Sequence, residues 1–468
     1  MNETTLPAAA GHLPACQLER ILGKPAPEWT VEDLVGLVKD RGIRMVTLLH
    51  IGGDGTLKVL DFVPRSEAHL RDVLLGGERA DGSSLFPGYG IRPGASDVVL
   101  RPRLTSAFLD PFSPLPTLAL MSGHVGRTGQ PLPESPDTIV HRAYHRLLDE
   151  AGVDLWALGE VEYFLGRRLG ETEIHGEDER GYHSTSPFVF GEALRRQAHA
   201  ILADIGVPVK YGHSEVGYIE PTEIDATTWE QHEIELELAP LPRAADCVAL
   251  TRWVLSNLAQ RHGMQVSFDP IMRKGHAGSG MHVHFSPVVD RRHAGGRTAS
   301  GELSEPSRWL IAGLVQLGGA LMIFGNRTSG SFIRITQGKE APNTVVWGEF
   351  DRLALVRLPV LPMTEDGRAV APPTIEFRLG DGSAHPHLLM AGVAQSMLHG
   401  RATPGLDELI ARTEARRART QPASASASVP RRFDEVAAAL REHRAVLEAG
   451  GVFPTGLIDC LIETFGRP

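Results

Sequence analysis

The stretch LWALGEVEYFLG, Leu155–Gly166, sets two carboxylates, Glu160 and Glu162, one residue apart in an otherwise apolar run. In a strand, residues i and i+2 point to the same face, so both acids share one face while Val161 and Tyr163 turn to the other. Two further runs repeat the pattern: GSGMHVHF (278–285) pairs His282 with His284, and TIEFRL (374–379) pairs Glu376 with Arg378. Their alternate positions, Val283, Phe285, Ile375 and Phe377, are apolar. The pattern predicts a sheet with one face on a core and one face carrying Glu, Glu, His, His, Glu and Arg. Exposed to water, that face is an ordinary solvated strand surface. Buried without partners it is costly. Lining a cavity, it suits Mg²⁺ or Mn²⁺, which take oxygen ligands with an occasional imidazole. Glu215 in GHSEVGY and Glu233 in EQHEIEL add two acids and make the cluster more specific.

Outward from these runs, spacing predicts helices over Gly191–Ile205, Ala244–His262, Ser307–Phe324, Pro386–His399 and Asp434–Ala449. It predicts strands over Leu155–Leu165, Gln265–Phe268, Met281–Phe285 and Thr374–Leu379. Residues 1–20 read as an irregular leader, and Thr30 as the N-cap of a helix in VEDLVGLVKDRG. Short strand-like runs follow at Arg44–Ile51, Leu57–Val63, Asp97–Arg101 and Thr117–Met121, the first two joined by the hairpin signal GGDG. Residues 21–133 therefore read as a small mixed-sheet domain, closed by the Pro-rich stretch GQPLPESP (129–136). Ser135 then Pro136 reads as an N-cap and first helical position, opening a second domain over 134–468. The Ala/Ser/Arg-rich segment 411–432 reads as a mobile surface loop.

Composition narrows the function. With 42% apolar and 22% charged residues in 468, the chain is neither disordered nor fibrous. Its net charge of −10 lacks the basic stripe of a nucleic-acid binder. Cys16, Cys247 and Cys460 are too scattered for a disulfide framework and fit a reducing cytoplasm. The N-terminus shows no secretory pattern. The apolar stretch Trp309–Phe324, broken by Gln316 and glycines, reads as a buried helix and not a membrane span. Neither GxxxxGK[ST] nor GxGxxG occurs, so the usual nucleotide folds gain no support.

In order along the chain stand ADGSS (80–84), GEVEYF (159–164), HSEV (213–216) with QHEI (231–234), GSGMHVH (278–284), KEAP (339–342), FDRLALVRLP (350–359) and IEFRLGDGSAHPH (375–387). This series resembles the glutamine synthetases, most nearly the class I bacterial type. The resemblance implies an α+β fold: a small N-terminal β-grasp-like domain, then a large catalytic domain with a curved antiparallel sheet flanked by helices. It implies an ATP-dependent ligase making glutamine from glutamate and ammonia through a γ-glutamyl phosphate. In the wider family an organic amine of polyamine, ethanolamine or methylamine type replaces ammonia.

By that resemblance Glu162, Glu215 and Glu233 would hold one divalent cation, and Glu160, His282 and Glu376 a second. Arg352, Arg357 and Arg378 would grip the phosphates, Arg334 the substrate α-carboxylate, and His284 would lie near the nucleotide. Gly278 belongs to the amino-acid site. Asp81, Ser84, Tyr182 and Glu340 would form the ammonium pocket, with Asp81 taking the proton and Glu340 closing over the site. Asp81 would act on a neighbouring subunit of a homo-oligomer, a double hexamer in the family norm. A catalytically silent relative should lose ligands, and all six are present here.

The chain also departs from the family. Ala277 stands where Asn is usual and Thr374 where Arg is usual, and GSFIR (330–334) keeps only its Arg. Extra residues within 217–229 bring in Glu220, Glu223 and Asp225, read either as an interface hairpin or as an acidic rim for a cationic amine. Trp347-Gly348 resembles members that make γ-glutamyl amides. The last tyrosine is Tyr218, which excludes control by adenylylation of a tyrosine in the C-terminal half.

Overall fold

The structure, a computed structural model, describes residues 16–466 apart from 92–93, 95, 171–175 and 421–426. Asp54 and Gly55 make the first turn: Asp54 Oδ1 accepts the Thr56 N–H at 3.0 Å, and Gly55 takes φ 83°. That turn joins β1 (Met45–Ile51) to β2 (Leu57–Phe62) as the antiparallel hairpin that GGDG predicts. With β3 (Glu78–Asp81), β4 (Asp97–Pro102), β5 (Phe108–Leu109) and β6 (Thr117–Val125) they form a sheet ordered β2–β1–β6–β4–β3, with β5 on β6. The β1–β6 pair is parallel and its neighbours are antiparallel, so the sheet is mixed. Helix Val31–Asp40 opens with a reciprocal cap between Thr30 and Asp33. It packs Leu34, Val35, Leu37 and Val38 against Val46, Leu118 and Leu120.

The second sheet has ten strands among the described residues. They are β7 (Asp154–Arg167), β8 (Val209–Ile219), β9 (Thr228–Leu236), β10 (Ala239–Pro240), β11 (Gln265–Ser267), β12 (Val283–Val289), β13 (Arg292–His293), β14 (Trp347–Glu349), β15 (Val356–Leu358) and β16 (Ile375–Phe377). The main order is β14–β15–β16–β12–β7–β9–β8, antiparallel except for β14–β15. Residues opposite each other across such a ladder share a face. Register therefore places Glu160 by Glu235, Glu162 by Glu233, His213 by Glu233, His284 by Glu376 and Arg357 by Glu376. The other face is the core: Val161, Tyr163, Val283, Phe285, Ile375 and Phe377 are each at most 1% exposed. The fold is α+β.

Helix Leu241–Arg261 lies against β7, and helices Glu305–Gly325 and Pro386–Arg401 pack on each other. Gly313 permits that last contact, because an added Cβ would lie 2.0 Å from Ser396 O. Helix Glu305–Gly325 is long and apolar enough to cross a membrane, yet 78% of its most apolar stretch is buried inside the protein, as the sequence predicts for a core helix. Gly313→Val is expected to lower unfolding free energy by about 1–3 kcal/mol through overpacking. Chemical denaturation checks this, and an unchanged midpoint contradicts the close crossing.

Three expectations need correction. The leader read as irregular over 1–20 contains a helix, Gln17–Leu22, started by the Cys16 thiol accepting the Glu19 N–H and ended by Gly23 in the left-handed region. The 411–432 segment is not a loop throughout: helices Leu406–Thr413 and Ala415–Thr420 occupy its start, since Ala, Glu and Arg are good helix formers. Its stretch 421–426 lies outside the described residues, as does 1–15 of the leader. Ser135 does precede helix Pro136–Ala151, but its hydroxyl meets His124 Nδ1 at 2.8 Å and caps nothing.

Candidate active site

A cavity of about 280 Å³ opens on the polar face of the second sheet. Of the residues singled out from sequence, Glu160, Glu162, Tyr182, Glu215, Glu233, Gly278, His282, Arg334, Glu340, Arg352, Arg357 and Arg378 line it. His284 and Glu376 do not line it but bond to residues that do. Asp81 and Ser84 are not at this cavity; they sit where β3 ends on the first sheet, joined to each other at 2.6 Å.

Glu160 organises one half of the site. Its Oε2 lies 2.7 Å from His282 Nδ1 and its Oε1 2.9 Å from His284 Nε2. Burial disfavours its charge, but His284 and His282 outweigh burial and hold the carboxyl well below the usual range. Burial likewise disfavours the His284 cation, and Glu160 outweighs it, so His284 is raised. Burial and then Arg378 bring His282 down to about 4. Glu376 is fully buried between Arg357 Nε at 2.6 Å and Arg378 Nη1 at 2.5 Å.

The other half is overloaded with acid. Glu162 Oε2 accepts the Gly280 N–H at 2.8 Å and Gln231 Nε2 at 2.9 Å. A Cβ on Gly278 would lie 2.5 Å from the Pro270 carbonyl oxygen, so glycine there lets the 278–280 turn pack this closely. Burial and the nearby Glu215 push Glu162 up to about 8. Burial pushes Glu215 up to about 7, with Glu160 adding to it against the Val216 N–H. Burial and then Glu160, Glu162, Glu215 and Glu376 push Glu233 well above the usual range.

Such a cluster fits bound divalent cations. Three groups have ligand atoms mutually within 4.8 Å: Glu160–His284–Glu376, His213–Glu215–Glu233 and Glu160–Glu233–Glu235. The donors are carboxylate oxygens with imidazole, the set that suits Mg²⁺ or Mn²⁺. His213 and Glu235 were not singled out from sequence as ligands. Each stands two residues from a recognised acid, so the rule that pairs Glu160 with Glu162 also points to them. Glu162 and His282 fall outside the three groups.

The raised acids give a signed pH prediction. A carboxyl whose folded pKa exceeds its unfolded value binds its proton more tightly when folded, so its contribution to stability falls as pH rises toward the folded value. An unfolded histidine titrates at about 6.5, so between pH 7.5 and 8.5 the depressed histidines are neutral in both states, while Glu162 still titrates. Cation-free protein should lose melting temperature across that window, and saturating Mg²⁺ or Mn²⁺ should remove the slope. A flat profile without cation contradicts the raised acids.

The charged ends around the cavity are cross-linked. Arg334, 5% exposed on helix Ser329–Thr336, points Nη2 toward His282 Nε2 at 3.4 Å and donates from Nη1 to Leu379 O at 3.3 Å. The Glu340 carboxylate meets Arg352 Nη1 at 3.3 Å, and its carbonyl accepts from Arg378 Nη2 at 3.2 Å. The Ala277 N–H donates to Glu179 Oε2 at 2.9 Å, and Lys339 Nζ meets the same oxygen at 2.5 Å. The Thr374 hydroxyl lies 2.9 Å from His284 Nδ1. Hydroxyls of Ser84, Ser96 and Ser83 hold the exposed Asp81 well below the usual range.

Two features weighed in the sequence stand apart from the cavity. The 217–229 insertion closes the β8–β9 hairpin, and its Glu220, Glu223 and Asp225 do not line the site. Trp347 is 4% exposed and donates its indole N–H to Ile410 O at 2.8 Å, so it belongs to the core.

Known proteins share this architecture. A glutamine synthetase of Azospirillum brasilense is 27% identical over 92% of this chain and 94% of its own. The structure of Plasmodium falciparum glutamine synthetase superposes with a TM-score of 0.77 at 17% identity, covering 93% of this chain and 95% of that one. A GmaS–ADP complex superposes with a TM-score of 0.69 at 18% identity over 92% and 94% of the two chains. At these identities the structural likenesses show the fold, with its curved sheet. The family profile described as glutamine synthetase, catalytic domain, matches residues 133–464, most of the chain. With that span matched, and with acids, imidazoles and arginines gathered on one sheet face, the chain belongs to the glutamine synthetase family, whose members are ligases that form C–N bonds.

Proposed function

We propose that the protein makes glutamine from glutamate and ammonia, with ATP driving the ligation through a γ-glutamyl phosphate. The observation that carries this reading is one cavity lined by Glu160, Glu162, Glu215 and Glu233 and by Arg334, Arg352, Arg357 and Arg378. Phosphoryl transfer to a carboxylate brings anions together, and such a site counters their repulsion. Mg²⁺ or Mn²⁺ on Glu162, Glu215 and Glu233 and on Glu160, His282 and Glu376 would offset the charge of phosphates and carboxylate. Arg334 binds the α-carboxylate through its planar fork. The side-chain carboxylate attacks the γ-phosphorus of ATP and ADP leaves; Arg352, Arg357 and Arg378 hold the phosphates, and His284 stands by the nucleotide. Ammonia then attacks the acyl carbon and phosphate departs.

Gly278 borders the amino-acid site, and Tyr182 and Ser84 border the acceptor. Asp81 takes the proton from ammonium, reaching the site from a neighbouring subunit of a homo-oligomer, in the family norm a double hexamer, in the cytoplasm. Glu340, with 68% of its side chain exposed, closes over the acyl phosphate and keeps water out. The partners are small molecules and further copies of the chain. The two-domain division at 133/134 belongs to the same reading.

A second reading takes an organic amine as acceptor. It is favoured by Tyr182 and Tyr211, 48% and 46% exposed at the cavity mouth, which offer aromatic faces to an alkylammonium group. Ala277 adds an apolar wall. Phosphate release with glutamate and either ammonium or a panel of methylamine, ethanolamine, putrescine and spermidine separates the two. Turnover with ammonium alone supports glutamine synthesis. Turnover confined to an amine replaces it with amide synthesis.

A further inference from the structure

Glu179 ties together three segments that meet at the cavity rim. Its Oε2 accepts the Ala277 N–H at 2.9 Å and meets Lys339 Nζ at 2.5 Å. Ala277 and Lys339 line the cavity, as does Tyr182, three residues beyond Glu179. One carboxylate oxygen therefore joins the loop that carries Tyr182, the 275–278 segment and the flap that carries Glu340. The second oxygen, Oε1, is buried without a hydrogen-bond partner, 3.5 Å from His276 Nδ1.

The backbone is built to hold Glu179 in this place. Its φ is 54°, in the left-handed region that a residue other than glycine enters at a cost. The Gly181 N–H donates to Val216 O at 3.1 Å and the His183 N–H to Ser214 O at 3.0 Å, which pins the next residues to β8. Gly181 permits that approach, since an added Cβ would lie 2.4 Å from Glu215 O. Across the rim, Gln337 Oε1 accepts the Gly275 N–H at 3.2 Å and its Nε2 donates to His276 O at 2.9 Å. Both partners of the flap are thus anchored before the flap meets them.

Among the described residues two ion pairs hold the flap. Glu340 meets Arg352 at 3.3 Å, with side chains 68% and 56% exposed. Lys339 and Glu179 are closer, at 2.5 Å, and only 41% and 19% exposed. Water screens the first pair more, so the second is the stronger hold.

We propose that Glu179 is a positioning residue that latches the flap through Lys339, keeping Glu340 over the reacting carbonyl until the acceptor has attacked. The inference rests on the reading that an acyl phosphate forms in this cavity. With the latch broken, the flap opens and water reaches the acyl phosphate. Water attacks the acyl carbon, phosphate departs, the substrate carboxylate is restored and a proton goes to solvent. ATP is then consumed without an amide.

The test measures phosphate released and amide formed in parallel, with Mg²⁺, ATP, glutamate and the active acceptor. Glu179→Gln keeps an oxygen for the Ala277 N–H and removes the charge that Lys339 meets. The wild type should release about one phosphate per amide, and Glu179→Gln and Lys339→Met at least about two. Lys339→Arg restores the cation and should return the ratio to about one. The double variant should be no worse than either single one, because both act through one contact. Deuterium uptake over residues 337–342 reads the flap without turnover, and should be about threefold to fivefold faster in the two uncoupled variants. A merely structural ion pair lowers the melting temperature and leaves the ratio alone. A ratio near that of the wild type in both variants overturns the latch and leaves the proposed function standing. No amide from the wild type with any acceptor overturns the proposed function; deuterium uptake then decides the latch, and equal uptake overturns it. Should Glu179→Gln fail to fold, Lys339→Met decides alone.

Discussion

Glu160→Gln is expected to lower phosphate release by about 10³-fold, roughly 4 kcal/mol of transition-state stabilisation. The carboxylate holds His282 at 2.7 Å and His284 at 2.9 Å, and it enters two of the three donor groups. An amide keeps the size and removes the charge, so both imidazoles lose the anion that fixes them. Steady-state phosphate release is the readout, with the thermal melt confirming the fold. A loss smaller than tenfold would show that the cluster does not take part in the chemistry.

Arg334→Ala is expected to raise the KM for the amino-acid substrate by about 10²–10³-fold, the range for losing one partner of a buried charge pair. The KM for ATP should change little. Arg334 is the buried arginine of helix Ser329–Thr336, placed by the Leu379 carbonyl and His282. Arg334→Lys should recover little, since an ammonium cannot supply two parallel hydrogen bonds to a carboxylate. Steady-state kinetics in each substrate check this. A KM shift for ATP with none for the amino acid moves Arg334 to the nucleotide.

The strands that the sequence shows clearly are those with one wholly apolar face. In β7, Val161 and Tyr163 mark the core side, and the alternation exposes Glu160 and Glu162. β9 was not legible because both of its faces are polar. Glu233 and Glu235 face the cavity side, while Glu230 and His232 turn the other way. There His232 Nε2 meets Glu230 Oε1 at 2.8 Å and His232 Nδ1 meets Arg195 at 2.6 Å. This buried network erases the period-two signal, so β8 and β9 did not emerge and Glu235 passed unnoticed. The long core helices were legible because their apolar periodicity extends over several turns.

Site residues divide along similar lines. Glu160, Glu162, His282 and Glu376 follow from alternation; the structure brings the first three to one cavity and holds Glu376 beside it through Arg357 and Arg378. Glu179 carried no sequence signal, because its contact with the Ala277 N–H joins segments 98 residues apart. The acidic insertion looked close to the site by its proximity to Glu215 and Glu233, yet it ends a hairpin whose tip leaves the cavity, with Ile224 fully exposed. Asp81 lies on the first sheet, away from the cavity of its own chain, so the structure of one chain does not bring it to the other residues of its proposed pocket.

In the proposed function ATP phosphorylates the substrate carboxylate. Glutamate labelled with ¹⁸O in its side-chain carboxylate, turned over with Mg²⁺, ATP and the active acceptor, tests this directly by mass spectrometry of the released phosphate. Transfer through an acyl phosphate carries one ¹⁸O from the carboxylate into each phosphate. Phosphate that carries oxygen from water and none from the carboxylate would contradict the account and make the protein an ATP hydrolase.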